Sequence, residues 1–170
     1  MIELGIRLDP GREQRIGMDE AIFAAGKSAV QLNAIVADAL ATGARRLLTR
    51  LSGSQFDQLS EAHRSALDFD PISRTAILGE RRKIRDTAQI AVVTGGSSDL
   101  PVSREAIRTL AYYGEPSVHL PDIGVAGLWR LLDHIEALQR MRVVIVVAGM
   151  EGALPSVVGG LVRGAVIALP

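Results

Sequence analysis

Ile90-Ala91-Val92-Val93-Thr94-Gly95-Gly96-Ser97-Ser98-Asp99-Leu100-Pro101 is a β-branched apolar run that breaks into a glycine-serine loop. Helical spacing follows from Ser103 to Tyr113 and stops at Gly114, so the segment reads as strand, loop and helix start. Outward from it the same order recurs. Strands are predicted at 90–94, 117–120, 143–147 and 166–169, with helices at 103–113, 125–140 and 156–162. Alternating strands and helices imply a parallel sheet with right-handed crossovers, a three-layer α/β domain. Ligands of such sheets bind outside the carboxyl ends of the strands. The loop after 90–94 and the loop Ala148-Gly149-Met150-Glu151-Gly152 after 143–147 should therefore share one rim.

The first half reads differently. Residues 1–27 mix arginine, aspartate and glutamate with Gly11 and Gly17, which suggests extended or looped chain. Ser28 can cap a helix that returns Val30, Ile35, Val36 and Leu40 and ends at Gly43. A short strand at 46–51, a helix at 54–66 and a strand at 75–79 complete a small α/β lobe. Between the halves, Glu80-Arg81-Arg82-Lys83-Ile84-Arg85-Asp86 is either a solvated linker or a phosphate-binding patch. The predicted domains are 1–86 and 87–170. The final run Val166-Ile167-Ala168-Leu169-Pro170 reads as a buried strand with nothing after it to cover it, so the second domain is expected to be truncated or covered by another subunit.

Hydrophobic residues make up 48% of the 170 and aromatic residues 4%, so the core is built from aliphatic side chains. Basic and acidic residues number 19 each, a balance that argues against a nucleic-acid or membrane-surface partner. There is no cysteine, which removes disulfides and thiolate metal sites and fits a reducing compartment. No apolar run reaches the ~18 residues of a membrane span and no signal pattern opens the chain, so a cytoplasmic protein is expected.

Three carboxylates are candidates for chemistry. Asp99 lies in a loop whose glycines, Ser97, Ser98 and helix start suit a phosphate or carboxylate; equally, Asp99 or Ser98 can simply cap the helix. Glu151 follows the most apolar strand between Gly149 and Gly152, where a dry setting would raise its pKa, or it is a surface residue. Asp122, before Gly124, caps the next helix or points into the rim. His63, His119 and His134 have no metal-ligand spacing and read as structural or exposed.

These same blocks resemble a known family. Val93 to Val102, Asp122 to Leu132 and Val143 to Val162 are similar to the LarB family, whose members make pyridinium-3,5-biscarboxylic acid mononucleotide for the nickel-pincer nucleotide cofactor. In the first lobe, Asp9, Arg12, Arg15-Ile16-Gly17, Glu20 and Gly26-Lys27 resemble that family's pattern. The second domain is more distantly similar to PurE, the aminoimidazole ribonucleotide carboxylase or mutase, and a flavodoxin-like, PurE-like fold is implied.

The resemblance implies carboxylation of nicotinic acid adenine dinucleotide with carbon dioxide or bicarbonate, then hydrolysis of the phosphoanhydride to release AMP, with magnesium on the substrate phosphates. It assigns Asp99, Asp122 and Glu151 to the reacting ring. Nucleotide or carboxylate binding falls to Gly95, Gly96, Ser97, Ser98, Gly124, Gly149, Met150, Gly152, Arg15 and Lys27. It also implies a homo-oligomer, an octamer in this family. The family's chains continue with a Gly-Tyr-Gly loop, a helix and a cysteine nucleophile, which this sequence lacks. A pyridinium ring cannot attack carbon dioxide until a nucleophile adds to it. The alternatives are a cysteine-free homologue that carboxylates or decarboxylates another heterocyclic nucleotide, and a non-catalytic nucleotide-binding subunit.

Overall fold

A computed structural model describes residues 1–170. The chain divides into two compact units, Met1–Arg81 and Arg82–Pro170.

In the first unit, α1 (Arg12–Ile16) and the two-residue strand β1 (Ile22–Phe23) occupy a stretch expected to be irregular. Ser28 then caps α2 (Ala29–Thr42): its hydroxyl accepts from the Gln31 N–H at 3.3 Å while the Gln31 side chain accepts from the Ser28 N–H. Leu32, Ile35, Val36 and Ala39 form the buried stripe, and Gly43 closes the helix at φ +66°. Strand β2 (Arg46–Thr49) follows. The helix expected at 54–66 is two helices, α3 (Gly53–Asp57) and α4 (Glu61–Ala66), because Ser60 accepts from the His63 N–H and restarts the chain as an N-cap. Strand β3 (Leu67–Asp70) was not foreseen; β4 (Thr75–Leu78) was.

The sheet order is β1-β2-β4-β3, with β1 parallel to β2 and both β4 pairings antiparallel. Its core gathers Leu32, Ile35 and Val36 of α2 against Leu48, Ala76 and Leu78.

The charged run spans the division. Arg81 pairs with Asp68 in the first unit. Arg82 sits 5.4 Å from the centre of the Tyr113 ring, and the Arg85 N–H donates to the Gly114 carbonyl at 3.0 Å. Arg85 also pairs with Glu115 at 3.1 Å. From Arg82 onward the run is thus docked on the second unit.

The second unit holds β5 (Ile90–Thr94), α5 (Leu100–Tyr112), β6 (Ser117–Leu120), α6 (Leu128–Leu132), α7 (Ile135–Gln139), β7 (Val143–Val147), α8 (Ala153–Leu161) and β8 (Ala165–Leu169). The helix predicted over 125–140 is one turn of 3-10 helix and two short helices, α6 and α7. All pairings are parallel and the order is β6-β5-β7-β8. Numbered within the unit this is 2-1-3-4, the flavodoxin-like order.

Ala91, Val93, Val144 and Val146 face one way and pack with Leu131, Leu138, Leu154 and Val158 of α6, α7 and α8. On the other face α5 packs on β5 and β6. Beyond that helix the face is thinly covered: Ile167 of β8 is 48% exposed. No helix is long and apolar enough to cross a membrane.

Candidate functional site

In a 2-1-3-4 sheet the connections leave β5 and β7 in opposite directions, which opens a crevice between the two strand ends. A cavity of about 400 Å³ lies at that point, lined by Gly95, Gly96, Ser98, Asp99, Gly124, Val125, Ala126, Ala148, Gly149, Met150, Glu151, Ala153 and Leu154. The loops after β5, β6 and β7 all contribute.

Backbone contacts set its shape. The Gly95 N–H donates to the Val147 carbonyl at 2.9 Å, and the Ile123 N–H to the Thr94 carbonyl at 2.9 Å. The hydroxyl of buried Thr94 accepts from the Asp122 N–H at 2.9 Å. Gly124 rests against Gly95 so closely that a Cβ there would lie 2.4 Å from the Gly95 oxygen. Only glycine permits that approach.

Asp99 reaches back into its own loop, where its Oδ2 accepts from the Gly96 N–H at 2.9 Å. It therefore braces the loop while lining the cavity. Glu151 lines the cavity too, but it is exposed, so the dry setting expected for it is not what the fold provides. Asp122 is not among the lining residues. It sits at φ +56°, and its carboxylate pairs with the Arg130 Nη1 at 3.1 Å, drawn there because the guanidinium lies over Gly127, where a Cβ would come within 2.8 Å of Nε.

Of the other expected binding residues, Ser97 is exposed and outside the lining; half-buried Gly152 is outside it too, and its N–H closes a turn onto the Gly149 carbonyl at 3.1 Å. Arg15 and Lys27 belong to the first unit, where Arg15 binds Asp9 through Nη1 at 3.0 Å. That hydrogen bond, with the guanidinium charge, holds the Asp9 carboxyl below its ordinary range.

The apolar floor of Val125, Ala126, Ala148 and Leu154 was not singled out from sequence. The signal for it was position alone, at strand ends and first helical turns.

The electrostatics come from the backbone and from two carboxylates. α8 begins at the cavity with no side chain bonded to its first-turn N–H groups and no acid there, whereas α5 runs on from the 3-10 turn Ser97–Asp99, whose Gly96 N–H is taken by Asp99 and whose Leu100 N–H is taken by the Ser97 carbonyl. The open N–H groups and dipole of α8 favour an anionic group at that end, while Asp99 and Glu151 make the remaining rim acidic. No group of three or more histidine, aspartate or glutamate residues is placed to hold a metal ion. His63 bonds Asn33 through Nδ1 at 2.6 Å, and His134 is exposed. Burial, then the charge of Arg104, push His119 below its usual pKa, and its Nε2 is enclosed without a hydrogen-bond partner.

The second unit is thus a flavodoxin-like α/β unit with a glycine-rich cavity at its switch point, bordered by two carboxylates and the start of α8. Residues 3–81 match the family model of the LarB/PurE-like N-terminal domain, so the first unit is a domain of that kind. An uncharacterized protein of Methanocaldococcus jannaschii is similar to this chain, at 29% identity over 178 residues, covering 99% of this chain and 69% of the relative.

Proposed function

We propose that the protein is a LarB-like carboxylase and hydrolase that acts on nicotinic acid adenine dinucleotide with carbon dioxide to give pyridinium-3,5-biscarboxylic acid mononucleotide and AMP. The observation that carries this reading is the meeting of the Gly95-Gly96-Ser98-Asp99 loop and the Gly149-Met150-Glu151 loop in one cavity at the open start of α8. A phosphate or ring carboxylate of the nucleotide is held by those N–H groups and Ser98. Glu151 is the carboxylate free to exchange a proton at the ring, while Asp99 keeps the loop closed. Asp122, turned to Arg130, acts through the shape of its loop. Magnesium would be held by the substrate phosphates and water.

We extend the proposal to a homo-oligomer, supported by the exposed apolar side of β8, an edge strand with no charged residue.

The purified protein, incubated with nicotinic acid adenine dinucleotide, bicarbonate and magnesium, is expected to yield a dicarboxylated mononucleotide detectable by mass spectrometry. Glu151→Gln is expected to keep nucleotide binding and lower turnover at least tenfold; absence of product from the unmodified protein refutes the activity. One arrangement favours a second reading: of the three candidate carboxylates, Asp99 is bonded to its own loop and Asp122 to Arg130. A subunit that binds the nucleotide without turning it over would show saturable calorimetric binding, equal in wild type and Glu151→Gln, and no product.

A further inference from the structure

The first unit has a larger cavity, about 690 Å³, between the amino-terminal segment, the carboxyl end of α2 and the start of β2. Its wall is apolar, with Ile2, Ile6 and Leu8, and its remaining lining is rich in charge. Five carboxylates (Asp9, Glu13, Asp19, Glu20 and Asp38) face three arginines (Arg7, Arg45 and Arg46).

Most of these charges are already matched. Arg45 bonds Glu13 at 3.1 Å and Asp19 at 3.3 Å, and Arg15 neutralises Asp9 from outside the cavity. Arg46 is different. Its side chain is only 14% exposed, yet Nη1 makes its single hydrogen bond, to the Arg45 carbonyl at 3.0 Å. Nη2 stands 3.9 Å from Asp38, too far for a hydrogen bond, and Nε is enclosed without a partner. With Nε unbonded and Nη2 held only by a long ion pair to Asp38, the guanidinium has donors in reserve, and the part of the side chain still exposed can offer them to an acceptor in the cavity. A bare anion does not fit, because carboxylates outnumber arginines in the lining.

We propose that this cavity binds a zwitterionic small molecule with an apolar body, of the free amino acid class. Its carboxylate accepts from the Arg46 guanidinium, its ammonium donates to Asp38, and its apolar portion lies along Ile2, Ile6 and Leu8. The volume is within the ~300–1,000 Å³ of small-molecule sites. The site is independent of the reaction proposed above.

The test uses the full chain and four probes: leucine, isovaleric acid, isoamylamine and inorganic phosphate. Leucine is expected to bind saturably by calorimetry, with isovaleric acid, isoamylamine and phosphate at least tenfold weaker. In nitrogen-15 spectra the Arg46 Nε–Hε resonance should shift on titration with leucine while the amides of 148–151 stay in place. Arg46→Gln and Asp38→Asn should each weaken leucine at least tenfold; should Arg46→Gln not fold, Asp38→Asn and the wild-type resonance decide. No saturable leucine binding, equal binding of isovaleric acid or phosphate, or an unmoved Arg46 resonance overturns the proposal.

Discussion

Gly124 and Gly95 touch backbone to backbone, and this contact, with the two hydrogen bonds to Thr94, holds the β5 and β6 loops in the geometry that shapes the cavity. Gly124→Ala forces the loops apart and is expected to lower stability by ~1–3 kcal/mol in urea unfolding, as overpacked sites do, and to weaken nucleotide binding. His119 gives a pH signature. Its folded pKa is depressed, so the folded state binds the proton less readily than the unfolded chain does. Its contribution to stability is therefore intact above the ordinary value of 6.5 and is lost as pH falls below it. Urea midpoints measured from pH 8 to pH 5 should fall on the acid side, and His119→Asn should flatten that part of the slope. At this scale sequence placed Asp99 and Glu151 beside one rim because both follow strands of a parallel sheet. It could not place Asp122, whose direction is decided by Arg130 lying over Gly127, a contact between residues three apart on a broken helix.

At the scale of elements, serines mark the helix starts. Ser52 accepts from the Gln55 N–H at 3.2 Å, and the Gln55 side-chain amide donates to the Ala24 and Lys27 carbonyls at 2.9 Å each. Ser52→Ala should cost about 1 kcal/mol in chemical denaturation. Gln55→Ala should cost more, since it also frees two carbonyls of the 24–27 turn. Parallel strands were legible because buried β-branched runs have few other uses. The break between α6 and α7 was not, because Asp133-His134 carries neither glycine nor proline; the turn there lets Leu131 and Leu138 both reach the core, and packing decided it. Strand β3, Leu67-Asp68-Phe69-Asp70, alternates apolar and charged residues over four positions, too short to separate from a helix end.

Across the whole molecule, alternation of strand and helix was enough to foresee a parallel sheet in the second unit, whereas the mixed sheet of the first was hidden by elements of two to four residues. The two units meet in sequence at Arg81–Arg82, inside the charged run, where residues that read as a tether are held by the ring of Tyr113, the Gly114 carbonyl and Glu115. A Cβ at Gly114 would fall 2.6 Å from the Lys83 carbonyl oxygen, at φ +82°, so Gly114→Ala should lift this run away and raise proteolysis at Arg82 and Lys83. If β8 is the surface for self-association, Ile167→Glu should lower the mass seen by light scattering; an unchanged oligomer would place the interface elsewhere.

Met150, in contrast to the stapled glycines opposite it, stands wholly in solvent with a left-handed backbone. The cavity therefore has one wall set by backbone packing and one whose outermost side chain is hydrated on every side. Trimming that side chain removes no packing from the core, so the mouth of the cavity can be reshaped at Met150 with little cost to the fold.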